Sequence, residues 1–254
     1  MPADSFEVVC EIEPPVSPDI AIVREQIAVL HPWCDAFLVP DSHLGRATIS
    51  SIAVAHEVTY LHGRAMACIN ARDRNLLGFQ RDLLTAQAYG VKELLFVYGD
   101  RPREGERSGL TVRAMLDQVR TSTVEAQFRV GVAAEVTRDL PSWKRAADFV
   151  FTQISFDVEA VTRWRERVEF EGDVYAGVMV LGSEKMARRL TDLIPGLSVP
   201  EAIVRGLGRH PTVGVAHALE QVQQLRDAGT VDGVHVIPAR QYRALANALT
   251  IKNL

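Results

Sequence analysis

Asn75-Leu76-Leu77-Gly78-Phe79-Gln80-Arg81-Asp82-Leu83-Leu84-Thr85-Ala86-Gln87-Ala88-Tyr89-Gly90 runs straight into Val91-Lys92-Glu93-Leu94-Leu95-Phe96-Val97-Tyr98. The first half has a helical pattern: Leu76, Leu77, Leu83, Leu84 and Ala88 fall near one side at the helical period. Tyr89-Gly90 is a helix stop, because glycine adopts a left-handed helix end without steric cost. The second half is a short apolar run of strand length. Such runs recur, giving strand candidates Phe6–Ile12, Ala36–Val39, Ala65–Asn70, Glu93–Tyr98, Arg129–Ala134, Phe149–Gln153, Val174–Val180 and Gly233–Ile237. Helix-like segments lie between them, among them Asp19–Leu30, Asn75–Tyr89, Thr111–Val119, Val158–Val168 and Thr212–Asp227. Eight β-then-α units spaced by roughly 30 residues predict a single (β/α)8 TIM barrel over residues 1–254. A doubly wound sheet needs fewer strands and usually a glycine-rich first turn, which this sequence lacks.

With 254 residues, 47% hydrophobic and 24% charged, the chain has ample core for one domain. Its formal charge of −4 gives no general attraction to nucleic acid or an anionic membrane. No apolar run approaches the roughly 20 residues of a membrane helix, and the N-terminus has no signal-peptide pattern. Cys10, Cys34 and Cys68 form no CxxC pair and read as reduced thiols of a cytoplasmic protein. His56 and His62 are six apart, not the four a helical zinc site needs, so no metal is expected. Glu57 is kept as a residue able to approach the barrel mouth. Gly206-Leu207-Gly208 matches neither phosphate-binding fingerprint and reads as a loop. The mixed-charge run 101–108 reads as a solvated loop after the fourth strand.

In such barrels the site lies at the carboxyl ends of the strands. That criterion collects Glu11 and Glu13 after the first strand, and Asn70 and Arg72 after the third. It adds Tyr98 and Asp100, Glu135, Gln153, and finally His235 and Arg240 at the eighth strand. Carboxylates and amides around an apolar mouth suit a flat, hydrogen-bonding heterocycle better than a sugar phosphate. The most pointed segment is Cys10-Glu11-Ile12-Glu13-Pro14-Pro15. The prolines end the strand, and the alternation of side chains puts Glu11 and Glu13 on one face.

These residues resemble the catalytic barrel of methylenetetrahydrofolate reductase. The family's first strand reads roughly Phe-Glu-Phe-Phe-Pro-Pro, in the place of Cys10 to Pro15 here. Its fourth strand ends in Arg-Gly-Asp before a proline, matched by Tyr98-Gly99-Asp100-Arg101-Pro102. Its sixth carries Ile-Thr-Gln and then Phe-Asp, matched by Phe151-Thr152-Gln153 and Phe156-Asp157. The resemblance implies that Glu11 is the general acid, protonating the departing nitrogen of methylenetetrahydrofolate. It implies that Asp100 and Gln153 hold the pterin edge, with Glu135 and Tyr98 as further substrate contacts. Gln153 and Arg240 are the expected cofactor contacts.

The departures are as informative. The flavin enzyme's His-Leu-Thr-Cys strand end becomes Ala65-Met66-Ala67-Cys68, without the histidine, and the arginine before Gly-Asp becomes Tyr98. A flavin-cradling Tyr-Pro-Glu-Val-His becomes Ala133-Ala134-Glu135-Val136-Thr137. The chain is thus similar to the flavin-free reductases of actinobacteria. The expected reaction is direct hydride transfer from NADH (or NADPH) to the folate, without FAD. An FAD-dependent reductase and a non-redox folate-binding barrel associated with methyl transfer are the alternatives. The choice between NADH and NADPH, and the oligomeric state, stay open.

Overall fold

The computed structural model describes residues 6–42, 45–100, 107–121, 128–194, 196–210 and 212–252. Eight parallel strands close into a barrel in sequence order, with the first strand pairing the last. They are β1 (Glu7–Glu11), β2 (Ala36–Val39), β3 (Ala65–Asn70), β4 (Glu93–Val97), β5 (Arg129–Ala134), β6 (Phe149–Ile154), β7 (Asp173–Met179) and β8 (Gly233–Ile237). Around them lie α1 (Ala21–Leu30), α2 (Ser51–Tyr60), α3 (Leu76–Ala88), α4 (Val112–Thr121), α5 (Val158–Arg167), α6 (Glu184–Leu193), α7 (Glu201–Arg209), α8 (Val213–Ala228) and α9 (Tyr242–Lys252). No helix of the described residues is long and apolar enough to cross a membrane.

The strands are buried on both faces, which is why they read as nearly continuous apolar runs. Alternation sends Val9, Leu38, Met66, Cys68, Leu95, Phe149, Phe151 and Tyr175 into the barrel, where they form a cluster separate from the outer core. Phe151 stacks on Tyr175 at 4.8 Å, and Phe149 meets both edge-on. Gly131 makes room for this: a Cβ there would lie 2.0 Å from the Phe149 ring. The amino end of the barrel is closed by an ion network. Arg64 bonds Glu7 and Glu93 at 2.7 Å each, Arg129 bonds Glu93 and Asp173, and the Tyr175 hydroxyl donates to Glu7 at 2.7 Å.

Several expectations are corrected. The link from β5 to β6 contains one short 3-10 turn, Ser142–Ala146, in place of an α-helix, whereas three helices separate β7 from β8. On α3 the buried face is Phe79, Leu83 and Ala86, while Leu76, Leu77 and Leu84 are exposed. Gly206-Leu207-Gly208 lies within α7, its Leu207 buried, so it is not a loop. Glu57 stays in the outer layer, where it accepts a hydrogen bond of 2.8 Å from Arg24. Gly90 does end its helix with positive φ (+71°). Asn75, Asp157 and Ser183 cap α3, α5 and α6 through their side chains. The three cysteines are free, with Cys10 and Cys68 buried.

Candidate active site

At the carboxyl end the strands surround a cavity of about 910 Å³ whose lining includes Glu11, Tyr98, Asp100, Glu135, Gln153 and His235. At its base Glu11 lies at the end of β1, its side chain 15% exposed, with Oε2 3.3 Å from Nε2 of His235. The two atoms are close, yet the His235 nitrogen makes no hydrogen bond. Phe151 meets the His235 ring edge-on at 5.2 Å, giving the pair an apolar floor. Cys68 completes it. Burial, with Glu11 and Asp41 adding their negative charge, pushes its thiol well above the ordinary range, so it is a neutral wall rather than a nucleophile.

Glu13 does not share this setting. The strand stops at Glu11, and Glu13 lies beyond it, half-exposed and 4.0 Å from Arg240. Arg240 precedes α9, is 87% exposed, and is not part of the cavity lining. Two of the acidic residues at the strand ends thus separate into a buried centre and a solvated rim.

The wall over β2–β4 is braced from behind. Asp41 accepts from the Asn70 backbone and side-chain amide at 3.0 and 2.9 Å and pairs with Arg74 at 2.5 Å. Burial pushes the Asp41 carboxyl upward, against the pull of Arg74. Gly99 has φ +87°, and a Cβ there would lie 2.8 Å from Asn70 Cβ, so only glycine lets the chain turn Tyr98 and Asp100 into the mouth. The Arg72 guanidinium lies 4.6 Å from the Tyr98 ring centroid. Residues 101–106 lie outside the described residues.

On the opposite wall Gln153 and Glu135 face the cavity. The Gln153 amide makes no side-chain hydrogen bond among the described residues, leaving donor and acceptor for a ligand. Glu135 pairs with Arg138 at 3.1 Å. Lys144, on the 3-10 turn, donates to the Ala133 carbonyl at 2.5 Å; burial holds its ammonium below the ordinary range although Glu135 works the other way. Asp41, Arg138 and Lys144 were not among the residues picked from the strand ends, since each sits on a loop whose path the periodicity does not reveal. Among the described residues no cluster of three His, Cys, Asp or Glu side chains is arranged for a metal.

The fold and mouth define a TIM-barrel protein with a buried acid–histidine pair at the carboxyl ends of its strands. The model of the methylenetetrahydrofolate reductase family matches residues 39–251, and the chain belongs to that family. No significant match is found among curated proteins. Among solved structures the chain resembles an uncharacterized protein from Clostridium thermocellum that binds two copies of 5-methyl-5,6,7,8-tetrahydrofolic acid. There the TM-score is 0.68 at 14% identity, covering 98% of this chain and 97% of that one. EDTA monooxygenase from Chelativorans sp. BNC1 follows with a TM-score of 0.58, 9% identity, and 98% and 94% coverage. Xanthomonas albilineans dihydropteroate synthase has a TM-score of 0.52, 14% identity, and 99% and 93% coverage. At such identities these likenesses speak for the fold alone.

Proposed function

We propose that the protein reduces methylenetetrahydrofolate to methyltetrahydrofolate by direct hydride transfer from a reduced nicotinamide dinucleotide, without bound flavin. The observation carrying this reading is Glu11, a carboxyl sunk at the centre of the mouth of a reductase-family barrel. The family match begins at residue 39, so the role of Glu11 rests on this position. Glu11 gives its proton to the departing ring nitrogen. The N–C bond breaks, leaving an iminium carbon. A hydride from the dihydronicotinamide then makes the methyl group, and the oxidised nicotinamide departs. In this reading His235, 3.3 Å from Glu11, returns the proton to it. Asp100 and Gln153 receive the pterin edge, one accepting and one able to do both. Alignment of the two substrates at reacting distance supplies much of the rate.

The flavin-free part of the reading is supported on one wall. Tyr98 stands where flavin-binding relatives carry arginine, and its ring is already covered by Arg72. Ala133 and Ala134 offer a flavin no side-chain hydrogen bond. An FAD would fit poorly there. The test is the absorbance spectrum of the purified protein, followed by nicotinamide oxidation with methylenetetrahydrofolate and no added flavin. A colourless, active protein is expected. A yellow protein would overturn the flavin-free reading. A colourless protein inactive even with added FAD would overturn the reductase and favour a folate-binding barrel without redox chemistry.

A further inference from the structure

A second cavity, of about 360 Å³, lies outside the barrel wall, between the outer face of β1, α8, α9 and the 3-10 turn His31–Trp33. Trp33, Val222 and Leu249 give it apolar sides, and two thiols, Cys10 and Cys34, line it together. Alternation explains Cys10. Val9 and Glu11 face into the barrel, so Cys10 between them faces the outer core, against which Cys34 packs. Cys34 is held there by its neighbour: the Asp35 backbone N–H donates to the Val8 carbonyl, and the Asp35 carboxylate accepts from the Val8 N–H, both at 2.8 Å. The Cys34 thiol is in hydrogen-bond contact with Cys10 and also donates to the Leu30 carbonyl at 3.4 Å. Cys10 is buried and Cys34 partly exposed, so a small molecule in the cavity reaches the pair through Cys34. Cys68 is on the other side of the sheet, inside the barrel.

We propose that Cys10 and Cys34 form an oxidation site, closed to a disulfide by a hydroperoxide, and that closure displaces Glu11 at the mouth. One sulfur attacks a peroxide oxygen: the O–O bond breaks, a sulfenic acid forms, and hydroxide leaves with that thiol's proton as water. The second sulfur attacks the sulfenic sulfur: the S–S bond forms, the S–O bond breaks, and hydroxide leaves with the second thiol's proton. Two thiols lose two electrons, and hydrogen peroxide becomes two waters. The bond to Cys10, and then burial, hold the proton on Cys34, so the reaction is slow at neutral pH and quickens as pH rises. A disulfide brings its sulfurs to about 2.05 Å, much closer than hydrogen-bond contact. Along this stretch β1 is paired to β2 and β8 and resists the pull. The bond is therefore strained and readily reduced again. The pull falls on the residue before Glu11, whose carboxyl stands 3.3 Å from His235.

The test treats the whole protein with hydrogen peroxide, blocks the remaining thiols with N-ethylmaleimide and maps its peptides by mass. A linked Cys10–Cys34 peptide, two hydrogens lighter than its parts and released by dithiothreitol, is expected. Its absence, or a link to Cys68, would overturn the site. Hydrogen exchange reads the displacement without any activity. The Ile12 N–H, bonded to the Leu38 carbonyl at 3.0 Å, should exchange at least about tenfold faster in the oxidised protein. Nicotinamide oxidation is the one readout that rests on the reductase reading. It should fall at least about tenfold on oxidation and return with dithiothreitol, because a small misplacement of a reacting group costs that much or more. Unchanged exchange across residues 7–13, or an unchanged rate in an active protein, would overturn the coupling to Glu11. Cys34→Ser, at a partly exposed position, should keep the parent rate and be insensitive to peroxide. Equal loss of rate in this variant would overturn the thiol pair. A reduced protein that oxidises no nicotinamide sinks the reductase, while linkage and exchange still decide the oxidation site.

Discussion

Glu11→Gln tests the acid most directly, because glutamine keeps the size and hydrogen-bonding shape of glutamate but has no proton to give. Glu11 is largely buried over an apolar floor, so water does not easily replace it. Losing a positioned general acid costs about 10²- to 10⁴-fold in rate. At 1.36 kcal/mol per factor of ten that is about 2.7–5.4 kcal/mol of barrier. If His235, 3.3 Å away, acts through Glu11, His235→Asn should cost less, about tenfold. If the two side chains acted independently, the double variant would multiply both losses. Acting in series, it should be no slower than Glu11→Gln alone. The assay is single-turnover oxidation of the nicotinamide at saturating folate, with methyltetrahydrofolate affinity measured separately. Affinity should stay within about threefold of the parent, since only transition-state stabilisation is removed. Glu13→Gln is the control, being half-exposed on the rim. A Glu11→Gln protein within about threefold of the parent rate would refute the acid assignment. A fully multiplicative double variant would refute the relay while leaving the acid in place.

Three further outcomes follow from the packing. Gly131→Ala places a methyl 2.0 Å from the Phe149 ring, which already packs edge-on against both Phe151 and Tyr175. Overpacking of this kind should cost about 1–3 kcal/mol, read as a lower urea midpoint; an unchanged midpoint would show that the ring repacks freely. Gly99→Ala combines a positive φ with a contact on Asn70, and should weaken folate binding by disturbing Asp100; calorimetry with unchanged affinity would contradict it. Burial opposes the charge on Glu7, but hydrogen bonds from Arg64 and Tyr175 outweigh it and hold the carboxyl below its ordinary 4.5. The contribution of Glu7 is therefore complete above that value and fades as pH falls through the lower folded one. Glu7→Gln should flatten the loss of stability on acidification below 4.5, and urea titrations that keep the parent's pH slope would count against the network.

The barrel was legible because each strand is apolar on both faces and bounded by turn residues. The helical faces were less so. Leu76, Leu77 and Leu84 are apolar but exposed, while Phe79, Leu83 and Ala86 carry the packing of α3. Apolar character marks a candidate face, and only the neighbouring layer decides which one is covered. The same limit explains Glu13: alternation placed it beside Glu11, but alternation holds only while the strand lasts, and β1 ends at Glu11. Strand ends pointed to Glu11, Tyr98, Asp100, Glu135, Gln153 and His235, all of which line the mouth. Arg138 and Lys144 depend on how the β5–β6 link folds, and that link lacks the helix expected of it.

Position along a strand also decides which departures from the family pattern bear on the cofactor. Ala65, in the place of a family histidine, opens β3 rather than closing it and pairs with Phe37 at the amino-end side of the barrel. It stands beside Arg64 of the ion network, a strand's length from the mouth. The missing histidine therefore says nothing about flavin. Tyr98 and the 133–137 segment do bear on it, because Tyr98, Ala133, Ala134 and Glu135 line the mouth itself. Restoring arginine at Tyr98 alone should not make the protein yellow, since Ala133 and Ala134 would still give a flavin no side-chain hydrogen bond. Flavin uptake by Tyr98→Arg alone, seen as a new visible absorption band, would show that a single residue on this wall had excluded it.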